Sequence, residues 1–129
     1  MGLTSRAAIL FIAGLGIAPF SFLLAQQPNT INFAEHVAPI IYDNCVECHR
    51  PGSIAPMSLL DYETVRAWGP VIKDRVERRS MPPYFIDKGV GVQSFLDDRS
   101  LSDQEIATIA AWVDSGSPQG DMNYLPPAP

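Results

Sequence analysis

Cysteine and histidine are nearly absent from this chain: two of each stand among its 129 residues. That excludes a disulfide framework, which needs several pairs, and a structural metal site made of four cysteines. Basic residues are scarce too, nine against fourteen acidic ones, for a net charge of −5. Such a balance argues against nucleic acid and against an anionic membrane surface as partners. No alternating apolar and polar run of any length marks a strand. No glycine-rich phosphate loop, nucleophile–base pair or carboxylate pair with a cleft stands out, and no segment repeats.

One long hydrophobic run is present, at the N-terminus. Residues 1–25 consist of a short segment carrying Arg6, an apolar stretch from Ala7 to Leu24, and Ala25 before Gln26-Gln27. This is the layout of a secretory signal peptide. Gly14, Gly16 and Pro19 interrupt the run, which suits a cleaved leader better than a stable spanning helix. Leu23 replaces the small residue favoured three positions before the cut, so an uncleaved anchor stays open as the alternative. The expected division is 1–25 leader, 26–31 flexible lead-in, 32–120 one domain, and 121–129 a surface tail. The part after the leader has about 104 residues, enough for one small domain.

Both cysteines and one histidine fall within five residues, Cys45-Val46-Glu47-Cys48-His49. C-x-x-C-H is the attachment signature of c-type haem. Two thiols three residues apart share one side of a helical turn, where each can form a thioether with a haem vinyl group. His49 then offers its imidazole to the iron. Other uses of the pair explain less. A thioredoxin-like redox pair belongs in a βαβ pattern, which the chain lacks. Zinc needs four ligands, and His49 follows Cys48 too closely to reach the same metal with it. A disulfide leaves His49 unexplained. One motif implies one haem.

The rest reads as helices joined by proline-rich loops. A first helix is expected over 32–44, capped by Asn32, with Phe33, Val37, Ile40 and Ile41 on its apolar face and a bend at Pro39. Arg50-Pro51-Gly52 should stop the turn after the motif. A middle segment begins near Asp61 with Tyr62, Val65, Trp68, Ile72 and Val76 at helical spacing. Gly69-Pro70 should break it into two short helices ending before Pro82. Ser102-Asp103-Gln104-Glu105 is a capping box that opens a last helix. Ile106, Ile109, Ala110 and Val113 form that helix's face, with Trp112 beside them, and Gly116 and Pro118 close it. Phe33 or Ile41 should meet Trp112 where the first and last helices cross. The expected fold class is all-α, a small helical domain wrapped around one covalent haem.

A second iron ligand is then needed, and Met81 is the leading candidate. Pro82 drives the residue before it out of the α region, and Pro82-Pro83 stiffens an extended backbone. That lowers the entropy cost of holding one thioether against iron. A thioether is a soft ligand that raises the reduction potential. Met57, Met122 and His36 are weaker candidates, and His36 is expected to be a surface or partly buried helix residue.

The order of helix, C-x-x-C-H, helices, Met-Pro and a final aromatic-bearing helix resembles class I c-type cytochromes over about residues 32–116. Val37-Ala38-Pro39-Ile40-Ile41, His49-Arg50-Pro51-Gly52, Met81-Pro82-Pro83 and Trp112-Val113-Asp114 look closest to a bacterial subgroup. There the domain often accompanies larger redox domains, including ones resembling copper-dependent monooxygenases. The resemblance implies haem c as cofactor, Cys45 and Cys48 as thioether sites, His49 as proximal ligand and Met81 as distal ligand. It also implies haem attachment outside the bacterial inner membrane, which agrees with an exported, periplasmic protein or one anchored there. A proline carbonyl would accept from the second ring nitrogen of His49. Pro56 is the candidate, with Pro51 or a loop carbonyl as alternatives. Trp68, Tyr62 and Arg66 are candidates for the haem propionates, with core packing the competing use of the two aromatics.

Two classes of function follow. With both axial positions filled by protein, the chain would carry single electrons between redox protein partners and would not itself be an enzyme. With Met81 absent from iron or displaceable, a sixth position opens for gas binding or catalysis. A haem subunit permanently docked on a larger oxidoreductase is a variant of the first.

Overall fold

The computed structural model describes residues 30–83, 87, 89–91 and 95–129; the expected leader and residues 26–29 lie outside the described residues. The architecture is all-α. A π-helical turn, Phe33–Val37, runs directly into α1, Ala38–Asn44; α2 is Tyr62–Glu77, α3 is Asp103–Asp114, and a 3-10 turn, Met122–Tyr124, follows. There is no strand among the described residues. No helix among them is long and apolar enough to cross a membrane.

Asn32 caps the first helix as expected. Its side-chain oxygen accepts from the Glu35 N–H at 2.9 Å, and its amide donates to the Glu35 carboxylate at 2.6 Å. His36 is part of the same start: Nδ1 accepts from the Asn32 N–H at 3.3 Å. The bend expected at Pro39 is instead a change of hydrogen-bond register. The Val37 N–H reaches back five residues to the Asn32 carbonyl, and the Ala38 N–H likewise reaches Phe33. Pro39 therefore falls in the first turn of α1, where its missing N–H costs little.

The expected break at Gly69-Pro70 does not occur. α2 is one 16-residue helix with Pro70 inside it. Val65, Gly69, Ile72 and Val76 make one buried stripe, and α3 packs along it. A Cβ on Gly69 would sit 3.4 Å from Val113 Cγ2 and 3.8 Å from the Trp112 ring, so glycine admits close approach here. Pro70 lies on the exposed side, as does Arg66, whose carbonyl loses its partner. Tertiary packing of the buried stripe outweighs one lost bond. Across the same contact Lys73 Nζ binds the Asp114 carboxylate at 2.5 and 2.6 Å.

α3 opens with the predicted capping box, and Gly116 ends it. Trp112 is fully buried, and its ring centroid is 6.1 Å from that of Phe33, which also meets Tyr62 at 5.4 Å. The last and first helices thus cross on Phe33. Trp112 Nε1 donates to the Pro118 carbonyl at 2.9 Å, and the Phe33 N–H donates to the same oxygen at 2.9 Å. The Ala34 N–H bonds Gln119 at 3.0 Å. The chain after α3 thereby satisfies donors that the first helix leaves over. Leu125, expected in a surface tail, is partly buried against the core.

Candidate functional site

The motif forms one more helical turn beyond α1. The Cys45 and Val46 N–H groups both bond the Ile41 carbonyl, at 2.9 and 3.2 Å. The Cys45 carbonyl then accepts from Cys48 at 3.2 Å and from His49 at 2.9 Å. Val46 between them is buried at 1% exposure and anchors the turn in the core. A turn at Arg50–Ser53 reverses the chain, and residues 54–59 fold back onto the motif. Two bonds hold them there: Ala55 N–H to the Cys48 carbonyl at 3.1 Å and Leu59 N–H to the His49 carbonyl at 2.8 Å.

The end of α2 supplies the other part of the site. The Arg79 N–H bonds Val76 at 2.9 Å and the Ser80 N–H bonds Arg75 at 2.9 Å, a Schellman closure. Arg79 occupies its left-handed position with φ of 53°, where glycine is usual. The Met81 N–H also bonds the Arg75 carbonyl, at 3.3 Å. α2 itself ends at Glu77, so the left-handed turn at Arg79 and not Pro82 takes the chain out of the helix, and Met81 then leads into Pro82-Pro83.

Between these pieces lies a cavity of about 590 Å³. That volume falls within the ordinary range of cofactor pockets, about 300–1,000 Å³. Cys45, Cys48, His49, Pro56 and Met81 all line it. So do Leu59, Ile72 and Val76 from the core and Ile54 and Val71 at its exposed margin. The walls are mainly apolar. The two cysteines do not pair with each other as a disulfide. Burial pushes the Cys45 thiol up to about 12, with Cys48 and Glu105 adding to the effect.

Trp68 stands apart from these residues. It is not among the cavity's lining residues and is 39% exposed, so it is not packed in the core. Tyr62 is used in packing: its hydroxyl donates to the Ser117 carbonyl at 2.8 Å. Arg66 is exposed and also absent from the lining. The bond expected from His49 to the Pro56 carbonyl is not formed. His49 Nδ1 is buried without a hydrogen-bond partner. Met57 lines the cavity as Met81 does, whereas Met122 does not. Met57 lies on the segment bonded to the motif turn; Met81 arrives from α2.

Sequence reasoning missed Arg75 and Arg99, the two cations on the cavity wall. Arg75 follows Val71 and Ile72 by one helical turn, a spacing that would have placed it beside them. Arg99 gives no such signal. Its guanidinium pairs with Glu47, inside the motif. No group of three or more His, Cys, Asp or Glu among the described residues is arranged to hold a metal ion.

The donor set suits a c-type haem: two thiols and an imidazole on one turn, a thioether from another segment, and apolar walls between. Comparison of the chain with protein-family models, curated proteins and solved structures finds no match.

Proposed function

We propose that this chain is an exported mono-haem c-type cytochrome of class I that carries single electrons between redox protein partners. The observation that carries this reading is the meeting of the Cys45–His49 turn and Met81 on one apolar cavity of about 590 Å³. In it, Cys45 and Cys48 would hold a haem through thioethers, and His49 and Met81 would bind its iron. The bound haem supplies a ferric–ferrous couple, and the soft Met81 sulfur favours the ferrous side. The helical turn holds both thiols and the imidazole in fixed relation, and the α2 closure fixes where Met81 begins. Leu59, Ile72 and Val76 keep water from the interior face. Residues 1–25 act as the export leader, so that the thiols meet haem outside the inner membrane.

Retention of haem through denaturing acid–acetone extraction tests this directly. The wild type should keep one haem per chain, because thioethers survive where non-covalent haem is released. Cys45→Ala with Cys48→Ala should lose it. Haem that washes out of the wild type would end the c-type reading.

A further inference from the structure

Two arginines on a mainly apolar wall ask for an explanation. A guanidinium is never neutralised by losing its proton, so beside a cavity it seeks an anion. Arg99 already has one, the Glu47 carboxylate. Arg75 is an exposed residue of α2 at the cavity's margin, and its guanidinium makes no hydrogen bond or ion pair to any described residue, while its backbone carbonyl accepts from Ser80 and Met81. Arg75 therefore carries an unspent, fork-shaped donor at the cavity, and Arg99 a donor shared with a competitor from the motif.

We infer that the cavity is built for a flat apolar ligand bearing carboxylates, with Arg75 as the main carboxylate-binding residue and Glu47 limiting what Arg99 contributes. This deepens the haem reading and rests on it: the carboxylates are the haem propionates. It also replaces Trp68 and Arg66 in that role. The two arginines come from different segments, the last turn of α2 and the residues before α3, so propionate binding would join both to the motif turn. The Glu47–Arg99 pair makes the proposal distinctive, because removing Glu47 should strengthen carboxylate binding while removing Arg75 weakens it. Damage to the fold alone would move both in one direction.

The test uses the full chain with Cys45→Ala and Cys48→Ala, in which haem binds without covalent attachment. Ferric haem and its dimethyl ester, which lacks the carboxylate charges, are titrated separately. The acid form should be preferred over the ester by several-fold, on the order of fivefold for a partly exposed ion pair. Adding Arg75→Leu should remove most of that preference, read as the ratio of acid to ester affinity. Adding Glu47→Gln should enlarge it. Equal affinity for acid and ester, or a preference that survives Arg75→Leu, overturns the assignment of Arg75. Failure of both ligands to bind a chain whose helical circular dichroism is intact overturns the haem reading itself. If the background variant does not fold, the same substitutions in the covalent protein decide the matter by potential. Arg75→Leu should lower the reduction potential and Glu47→Gln raise it in the acid form, and both changes should shrink after chemical esterification confined to the haem, leaving only the direct field of the altered side chain. Changes of undiminished size after esterification overturn the proposal.

Discussion

Replacing Trp112 by alanine should be among the most costly single changes in this protein. Trp112 is fully buried in α3, faces Phe33 across the helix crossing and lies against the Gly69 notch of α2. Truncation of a buried tryptophan costs about 3–5 kcal/mol, and the rigid α2–α3 contact leaves little scope for collapse into the space. The lost Nε1 bond belongs inside that range, because the Pro118 carbonyl keeps its second donor, the Phe33 N–H at 2.9 Å. No acceptor is orphaned. For a domain whose stability lies in the usual range of about 5–15 kcal/mol, such a loss removes roughly a fifth or more of the total. Urea unfolding followed by far-UV circular dichroism should show a lower midpoint with an unchanged slope. Trp112→Phe keeps most of the apolar contact and should cost distinctly less, about 1–2 kcal/mol for the lost bond and part of the ring. A cost below about 1 kcal/mol for Trp112→Ala would refute the packing argument, since a residue that cheap to remove does not fill the crossing.

Gly69→Ala should change stability by less than about 1 kcal/mol, because the gain in helix propensity offsets a tight contact with Val113, whereas Gly69→Leu should cost about 1–3 kcal/mol by forcing α2 and α3 apart. Thermal unfolding distinguishes the two. Gly120→Ala should destabilise by more than 1 kcal/mol on the order-of-magnitude scale for left-handed strain, since φ is 79° and a Cβ would collide with the Asn32 side chain. In protein prepared without haem, the Cys45 thiol should remain protonated at pH 9 and its alkylation should accelerate as pH rises toward about 12. Because its folded value is raised, the neutral thiol favours the folded state below pH 9, and that advantage is lost as pH climbs toward 12. Alkylation of Cys45 that is already maximal at pH 9 in the folded protein would contradict the burial argument.

How far the sequence could be read depended on whether each signal was local. Asn32 and the Ser102–Glu105 capping box, which start helices, and Gly116, which follows one, act within one turn of the backbone and mark those boundaries where expected. Pro70 was misleading because its local cost is overridden by contacts of α2 with α3, such as that of Lys73 with Asp114, 41 residues apart. The π-helical turn at Phe33–Val37 was invisible, since apolar spacing reports which side chains face inward but not which carbonyl each N–H reaches. The site divides the same way. Cys45, Cys48 and His49 are adjacent in the chain, and Met81 carries its own backbone signal in Pro82. Arg75, Arg99 and Leu59 belong to the cavity only because three separate segments fold around it. Trp68 illustrates the converse: an aromatic at helical spacing looked suited to the core or the cofactor, yet its position on α2 turns it away from the cavity.

Absorption spectra of the purified protein, oxidised and reduced, with and without carbon monoxide, test the proposed electron carrier most directly. Ligation by His49 and Met81 predicts a weak long-wavelength band of an iron–thioether bond in the oxidised wild type and little carbon monoxide binding in the reduced form. Met81→Ala should lose the band, admit carbon monoxide and lower the reduction potential, while Met57→Ala and Met122→Ala leave all three unchanged. A Met81→Ala variant with wild-type spectra would give the iron to another residue. A wild type that binds carbon monoxide fully when reduced would contradict electron transfer through a closed His–Met site and favour a ligand-binding haem protein.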